Sequence, residues 1–343
     1  MPFKEIVGHR RQGVLVSRSI GRRSLPPSVI FAGPDGVGKR LTAVATAQAL
    51  NCTNPILVDT TSESDGFDID ACGTCAACTR IARRVHADVF IIEPGETGSI
   101  KIEQVRDLVD RAAFRPFEGR RRVVIIDEAE TLVTQAQNAL LKTLEEPPAS
   151  SVFILVTAQP DLLLPTVRSR CPTLRFGPLG LTDIAAVLVK RGHSEAQARA
   201  VAATADGSLR RALDASAGES VDGRDIAERV LSRVAGSDDP RRKIEGAKDL
   251  LSKTGGGGAA DREYVALHLR AMASLLRDVE LLSTRADVRA LANPDVRPAL
   301  DRLADVYRGE RGVRAFAAVD RALVALDKNA GAKLVADWLA LQL

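Results

Sequence analysis

Gly33-Pro34-Asp35-Gly36-Val37-Gly38-Lys39 has the spacing of a phosphate cradle: a glycine, four residues, a second glycine, then a lysine. Glycines let successive backbone N–H groups turn toward an anion, and a helix starting behind them adds the positive end of its dipole. Lys39 would reach the outer phosphates. The position that follows normally carries Ser or Thr, whose hydroxyl holds Mg²⁺; here it is Arg40. Loss of that hydroxyl weakens metal-dependent chemistry but leaves the backbone cradle able to take phosphate. Arg40 could itself pair with a phosphate or with Asp127.

About ninety residues downstream, the apolar run Val123-Val124-Ile125-Ile126 ends in Asp127-Glu128. Asp127 would orient Mg²⁺ and Glu128 would polarise an attacking water. Many strands end in acids, so the pair gains meaning only from the cradle upstream.

Cys72-x-x-Cys75-x-x-Cys78, with Cys52 about twenty residues before it, offers four thiolates. Two-residue gaps allow neighbouring thiolates to close on one ion, and four of them make a closed, structural zinc site. An iron–sulfur cluster and a set of free thiols are the alternatives. The stretch from Asn54 to Asp70 reads as a polar, acidic surface loop. Arg168 and Arg170, just before Cys171, are either a solvated turn or guanidinium groups offered to a phosphate. Arg80, Arg83, Arg84 and Arg120 to Arg122 are either solvated and intersubunit faces or a patch for DNA backbone. His9 is either structural or a contact to a nucleotide base.

The elements that must position these groups follow from periodicity. Short apolar runs at 29–32, 89–92, 123–126, 152–157 and 172–176 read as buried strands, alternating with helices at 10–20, 41–50, 101–114 and 135–146. That alternation predicts a parallel α/β sheet covered by helices on both faces. From Gly177 onward the pattern is helical, and Gly255 to Gly258 reads as a linker. The expected organisation is a P-loop domain over 1–177 with a zinc insertion at about 52–78, a small helical domain over 178–254, and a helical domain over 259–343.

With 343 residues, 45% hydrophobic and 27% charged, the chain has the composition of a globular protein with a large core. No apolar run reaches membrane-spanning length and no signal-peptide core is evident, so a cytoplasmic location is expected and no membrane partner. A formal charge of +4 permits but does not demand nucleic acid, and 3% aromatics argue against base stacking as the main business.

On Gly33–Lys39, the inserted cysteines, Asp127-Glu128-Ala129-Glu130, the run Asn138 to Pro148 and Ser169-Arg170-Cys171, the chain resembles the AAA+ subunits of the bacterial sliding-clamp loader of DNA polymerase III. The resemblance spans the whole length. It implies an AAA+ domain, a helical lid and a helical collar through which five subunits form a ring. The implied partners are gamma/tau and delta subunits, the sliding clamp and primer–template DNA. Arg170 matches the finger that enters a neighbour's ATP site, Thr157 a sensor position and Arg210 the second-domain sensor arginine; Cys171 should not ligate zinc. Gly33, Gly36, Gly38, Lys39, Arg40, Asp127 and Glu128 would line the chain's own nucleotide site, for ATP or ADP. The family's motor subunits carry Ser or Thr where Arg40 stands, whereas a catalytically silent member has a degenerate loop. The chain resembles the silent kind, with structural zinc, no Mg²⁺ at its own site and little or no ATP hydrolysis of its own. The competing expectations are an active gamma/tau-type ATPase and a zinc-stapled DNA-binding module with a vestigial P-loop.

Overall fold

The computed structural model describes residues 1–57, 66–95, 98–216, 220–236, 239–252, 258–284 and 291–343. The chain divides into two units, Met1–Leu179 and Gly180–Leu343.

The first unit runs α1 (Arg10–Gly21), β1 (Ser28–Ala32), α2 (Lys39–Asn51), β2 (Ile56–Leu57), β3 (Ile69–Asp70), α3 (Ala76–Ala82), β4 (Val89–Ile92), α4 (Ile102–Ala112), β5 (Arg122–Ile126), α5 (Thr134–Glu145), β6 (Ser151–Thr157), α6 (Pro165–Arg168) and β7 (Thr173–Arg175). Five strands form one parallel sheet in the order β4-β5-β6-β1-β7. Every residue of β1, β5 and β6 is buried. This is why these strands read as unbroken apolar runs rather than alternating ones: a parallel sheet is covered on both faces. On one face Ile30, Val124, Ile126, Phe153 and Leu155 pack against Val105 and Leu108 of α4 and Leu140 and Leu144 of α5.

Register sets the site. Ile30 pairs with Leu155 of β6 and with Thr173 of β7, so the turn after β1 emerges between the ends of those strands. Ile92 pairs with Ile126, which brings the first residues beyond β4 and β5, Glu93 and Asp127, to the same sheet edge.

The cysteine insertion differs from expectation. Within the stretch expected to be a loop, Ile56–Leu57 pairs antiparallel with Ile69–Asp70, and residues 58–65 lie outside the described residues. Asp70 is buried because its carboxylate accepts the Phe3 and Lys4 N–H groups at 2.8 and 3.1 Å. An acid that caps a backbone end is indistinguishable in sequence from one that faces water.

The second unit contains α7 (Leu181–Lys190), α8 (Glu195–Thr204), α9 (Leu209–Ser216), α10 (Ser220–Ala235), α11 (Pro240–Gly246), α12 (Ala259–Ser283), α13 (Arg297–Tyr307), α14 (Glu310–Asp327) and α15 (Ala332–Gln342). Val265, Leu269, Met272, Leu276 and Val279 of α12 and Val335 and Leu339 of α15 are buried, whereas Leu334 is exposed. Val230, Leu231 and Val234 of α10 share one core with Leu269, Met272 and Leu276 of α12, Val319 of α14 and Leu339 of α15. The helices around 220–251 therefore pack with 259–343, although sequence reading grouped them with 178–254. A glycine run marks chain freedom, not which helices share a core, and Gly255 to Gly257 lie outside the described residues. No described helix is long and apolar enough to cross a membrane.

Candidate nucleotide and metal sites

The turn between β1 and α2 has the backbone that a cradle requires. Gly33, Gly36 and Gly38 have φ of +156°, +74° and +106°. At Gly33 the constraint is also steric, since a Cβ would lie 2.1 Å from the Phe176 carbonyl oxygen. The loop is braced from β6 by the Gly33 N–H bond to the Thr157 carbonyl at 3.2 Å. His9, with φ of +50°, donates from Nε2 to the Val37 carbonyl at 3.1 Å and packs edge-on against Phe176. In this structure His9 buttresses the loop.

Lys39 begins α2 and is buried, and its Nζ donates to the Gly33 and Pro34 carbonyls at 2.7 and 2.6 Å. Burial lowers the pKa of its ammonium, against the opposing fields of Asp35, Glu130 and Asp127. The ammonium therefore sits at the mouth of the cradle, satisfied by carbonyls that a phosphate oxygen could replace.

Arg40 occupies the metal position. Its Nη1 donates to Asp127 Oδ2 at 2.9 Å and its Nη2 to Glu93 Oε1, which also accepts from Arg84 Nη1 at 2.9 Å. Asp127 is buried, and burial raises its pKa against the favourable field of Arg40. Magnesium needs near-octahedral oxygen ligation at short range. With a guanidinium on the carboxylate that would orient the ion and no hydroxyl at position 40, the residues present do not fit a Mg²⁺ centre. The pairing with Asp127 was a sequence-level alternative; Glu93 was missed. Its signal is positional: it is the first residue beyond β4, as Asp127 is beyond β5, and the two strands pair.

The other expected groups are scattered differently. Glu128 is exposed, in left-handed backbone, and its N–H closes onto Asp127 Oδ1 at 3.1 Å. Thr157 is buried, and its hydroxyl accepts from Gln159 N–H at 3.1 Å. Glu130, also missed, accepts the Ala158 N–H at 3.0 Å through Oε1. Arg210 is exposed in the first turn of α9, in the second unit.

Arg170 lies on the turn after α6. Its Nη1 donates to the Thr166 carbonyl at 2.8 Å, and its Nη2 pairs with Glu145 at the end of α5. Arg168 is paired separately with Asp161 at 2.7 Å. Cys171 points away from both, into the core, where burial pushes its thiol up to about 11.

Cys52, Cys72, Cys75 and Cys78 present sulfurs that all lie within 4.8 Å of one another. Cys52 Sγ is 3.5 Å from Cys72 Sγ and 3.9 Å from Cys75 Sγ. Tetrahedral zinc–thiolate geometry requires sulfurs about 3.8 Å apart. The Cys72 and Cys75 N–H groups each point at the sulfur of another member, at 3.3 Å. At Cys75, burial pushes the thiol up, but hydrogen bonds from Thr53 and Cys78 outweigh it and bring the pKa to about 5. Cys52 and Cys78 are raised by burial. The four residues fit zinc. Cys78 is supplied by the first turn of α3, and Cys75 caps that helix.

Of the arginines that motivated a DNA patch, Arg80, Arg83, Arg84 and Arg120 are exposed, and two of these form surface ion pairs. Arg80 pairs with Glu118 at 2.8 Å and Arg84 with Glu93. Arg122, expected on a surface, is buried against Asp88. It was misread because its neighbours Arg120 and Arg121 look identical in sequence, while only Arg122 starts β5.

A family model described as DNA polymerase III, delta subunit matches residues 9–180. The chain is 39% identical over 161 residues to DNA polymerase III subunit delta' of Pseudomonas aeruginosa, a stretch covering 47% of this chain and 46% of that protein. It is 32% identical over 261 residues to DNA polymerase III subunit tau of Escherichia coli, covering 74% of this chain and 38% of the relative. The alignments thus span less than half the length of each of these relatives. The solved gamma subunit-related protein of Thermotoga maritima superposes with a TM-score of 0.45 at 18% identity, covering 96% of this chain and 97% of that one.

Proposed function

The chain belongs to the DNA polymerase III, delta subunit family, and from that premise we propose that it is the non-hydrolysing stator of a replicative sliding-clamp loader. It joins gamma/tau-type and delta-type subunits in a ring, in the cytoplasm, and acts with them on the clamp and primer–template DNA. The observation that carries the reading is the Arg40–Asp127 ion pair inside an otherwise intact P-loop. A site whose metal-orienting carboxylate is held by a guanidinium can keep phosphate affinity while losing the ion that hydrolysis needs.

Arg170 is then the residue through which the chain influences chemistry. It sits on a short exposed turn with a planar fork suited to phosphate oxygens, and its present partners are a carbonyl and a surface carboxylate. Exchange of those partners for a neighbour's γ-phosphate costs little, because surface ion pairs are weak. Thr157 and Arg210 serve as sensor residues in this reading. Cys52, Cys72, Cys75 and Cys78 hold zinc, which staples the end of α2 to β3 and α3 and takes no part in the reaction.

The test is ATP turnover by a reconstituted loader with clamp and DNA, comparing wild type with Arg170→Ala, and with the isolated chain as control. A silent isolated chain and a mutant complex slowed by on the order of 10³ are expected. Substantial turnover by the isolated chain would favour the motor-ATPase reading instead.

A further inference from the structure

We propose that the first unit carries a further binding site, a cleft at the end of the sheet away from the P-loop. It takes an extended acidic segment of a partner protein, with apolar side chains between the carboxylates. The site does not depend on the stator reading, because no residue of the nucleotide site lines it.

The strands of the main sheet are parallel, so the loop after Ala32 and the residues before Ser28 lie at opposite ends. At the end where the strands begin, Pro27 and Val152 line a cleft of about 620 Å³ together with Ile20 of α1, Leu50 of α2 and the Pro147-Pro148 stretch after α5. Sites that hold ligands usually measure roughly 300–1,000 Å³. The cysteine insertion supplies another wall, through Leu57 of β2 and its ladder partner Ile69 of β3. Leu57 is 74% exposed, so a ligand that covers it removes apolar surface from water.

Arg23, Arg120 and Arg121 line the same cleft. Arg23 stands in left-handed backbone, with φ of +54°, and the Arg120 and Arg121 N–H groups both donate to Asn51 Oδ1, at 2.9 and 3.0 Å. Their main chain is held while their charges stay available. Among the described residues no carboxylate pairs with any of the three, and Arg121 donates to the Ala149 carbonyl. Asp68, beside Ile69, is taken by Arg18 and Arg22. No acidic residue lines the cleft.

These features select the ligand. A nucleic acid would find the arginines but not use the apolar walls, and no aromatic ring lines the cleft for a base to stack on. A small molecule needs polar groups converging on it, whereas Ser151, the remaining polar side chain of the lining, is committed to the Ala112 carbonyl at 2.8 Å. An extended peptide uses both parts: its apolar side chains fill the cleft and its carboxylates reach the guanidinium forks.

The experiment is a selection of short random peptides by mRNA display against the whole zinc-loaded chain, followed by fluorescence anisotropy on the recovered sequences. The expected peptides interleave Asp or Glu with apolar residues and bind less tightly as salt is raised. Their affinity should fall by about tenfold or more in the double variant Arg23→Glu, Arg120→Glu, and again in Leu57→Asp. All three positions are exposed, so the variants should fold, which zinc content and thermal melts verify. Recovery of no peptide, of peptides without acids, or of peptides that bind the variants as tightly as wild type would overturn the proposal. A duplex oligonucleotide that binds wild type more tightly than any recovered peptide, and loses that binding in the same variants, would assign the cleft to nucleic acid instead. None of these outcomes bears on ATP turnover, which tests the stator reading separately.

Discussion

Arg122 Nη2 lies 3.0 Å from Asp88 Oδ1 in a region where Asp88 is fully buried and Arg122 nearly so. The same carboxylate accepts the N–H groups of Phe117, Glu118 and Gly119 at 2.7–2.9 Å, and Arg122 continues to the Arg111 and Arg115 carbonyls. One acid thus terminates the connection between α4 and β5. Removing one partner strands the other charge in the interior. Asp88→Ala is expected to cost about 3–5 kcal/mol, read as a shift in urea midpoint with unchanged slope.

Asp88 also sets an acid limit. Burial pushes its carboxyl up, but the N–H groups of Glu118, Phe117 and Gly119 and the Arg122 guanidinium outweigh burial and bring the pKa to about 2. A folded-state pKa below the unfolded one means stability that is fully present above about pH 4 and lost as pH falls toward 2, worth about 2 kcal/mol. Stability of wild type should fall through that window, and Asp88→Asn should flatten the fall while lowering the plateau.

Gly33→Ala places a Cβ against the Phe176 carbonyl at a positive φ. A loss of about 1–3 kcal/mol is expected, together with loss of any nucleotide affinity. Gly38→Ala meets nothing and should cost only its backbone strain. Paired thermal melts of the two variants measure the difference.

One equivalent of zinc is expected per chain, measured by emission spectrometry. Cys72→Ser should lose it and lower Tm by roughly 10 °C. Cys171→Ser should retain the metal, since its sulfur lies in the core beneath α5 and α6 and not in the cluster.

Arg170→Lys should rescue little of the turnover lost in Arg170→Ala in the assembled loader. A single ammonium cannot reproduce the planar fork. Glu145→Gln, which releases Arg170 from its resting partner, should leave stability within about 0.5 kcal/mol because both groups are partly exposed. Turnover that survives Arg170→Lys undiminished would count against a fork-specific role.

What could be read from the sequence was whatever repeats with a period or carries a rare residue type. All five strands of the main sheet fell where they were expected; in β1, β5 and β6 burial on both faces keeps the runs almost wholly apolar, whereas β7 is exposed at Thr173 and Arg175. The cradle and the cysteines were visible because glycine and cysteine spacing is uncommon. The partners of common residues were not legible. Glu93 joins Arg40 only through strand pairing, Asp88 and Asn51 gather backbone N–H groups from about 30 and 70 residues away, and Arg122 differs from Arg121 only by where β5 begins. Such contacts depend on register, which composition does not encode.

β1 lies between β6 and β7 although it comes first in the chain. The strand that carries the phosphate loop therefore has no hydrogen-bonded neighbour until residues near 151–157 exist, and no second one until 173–175. At ribosomal elongation rates that delay is on the order of ten seconds. Throughout it, Val29, Ile30 and Phe31 form an apolar segment without a sheet, and the cysteines that follow have left the ribosome first. The nascent first half is thus a natural client for holding chaperones, and a stop or pause before residue 157 should yield an aggregating fragment rather than a smaller domain.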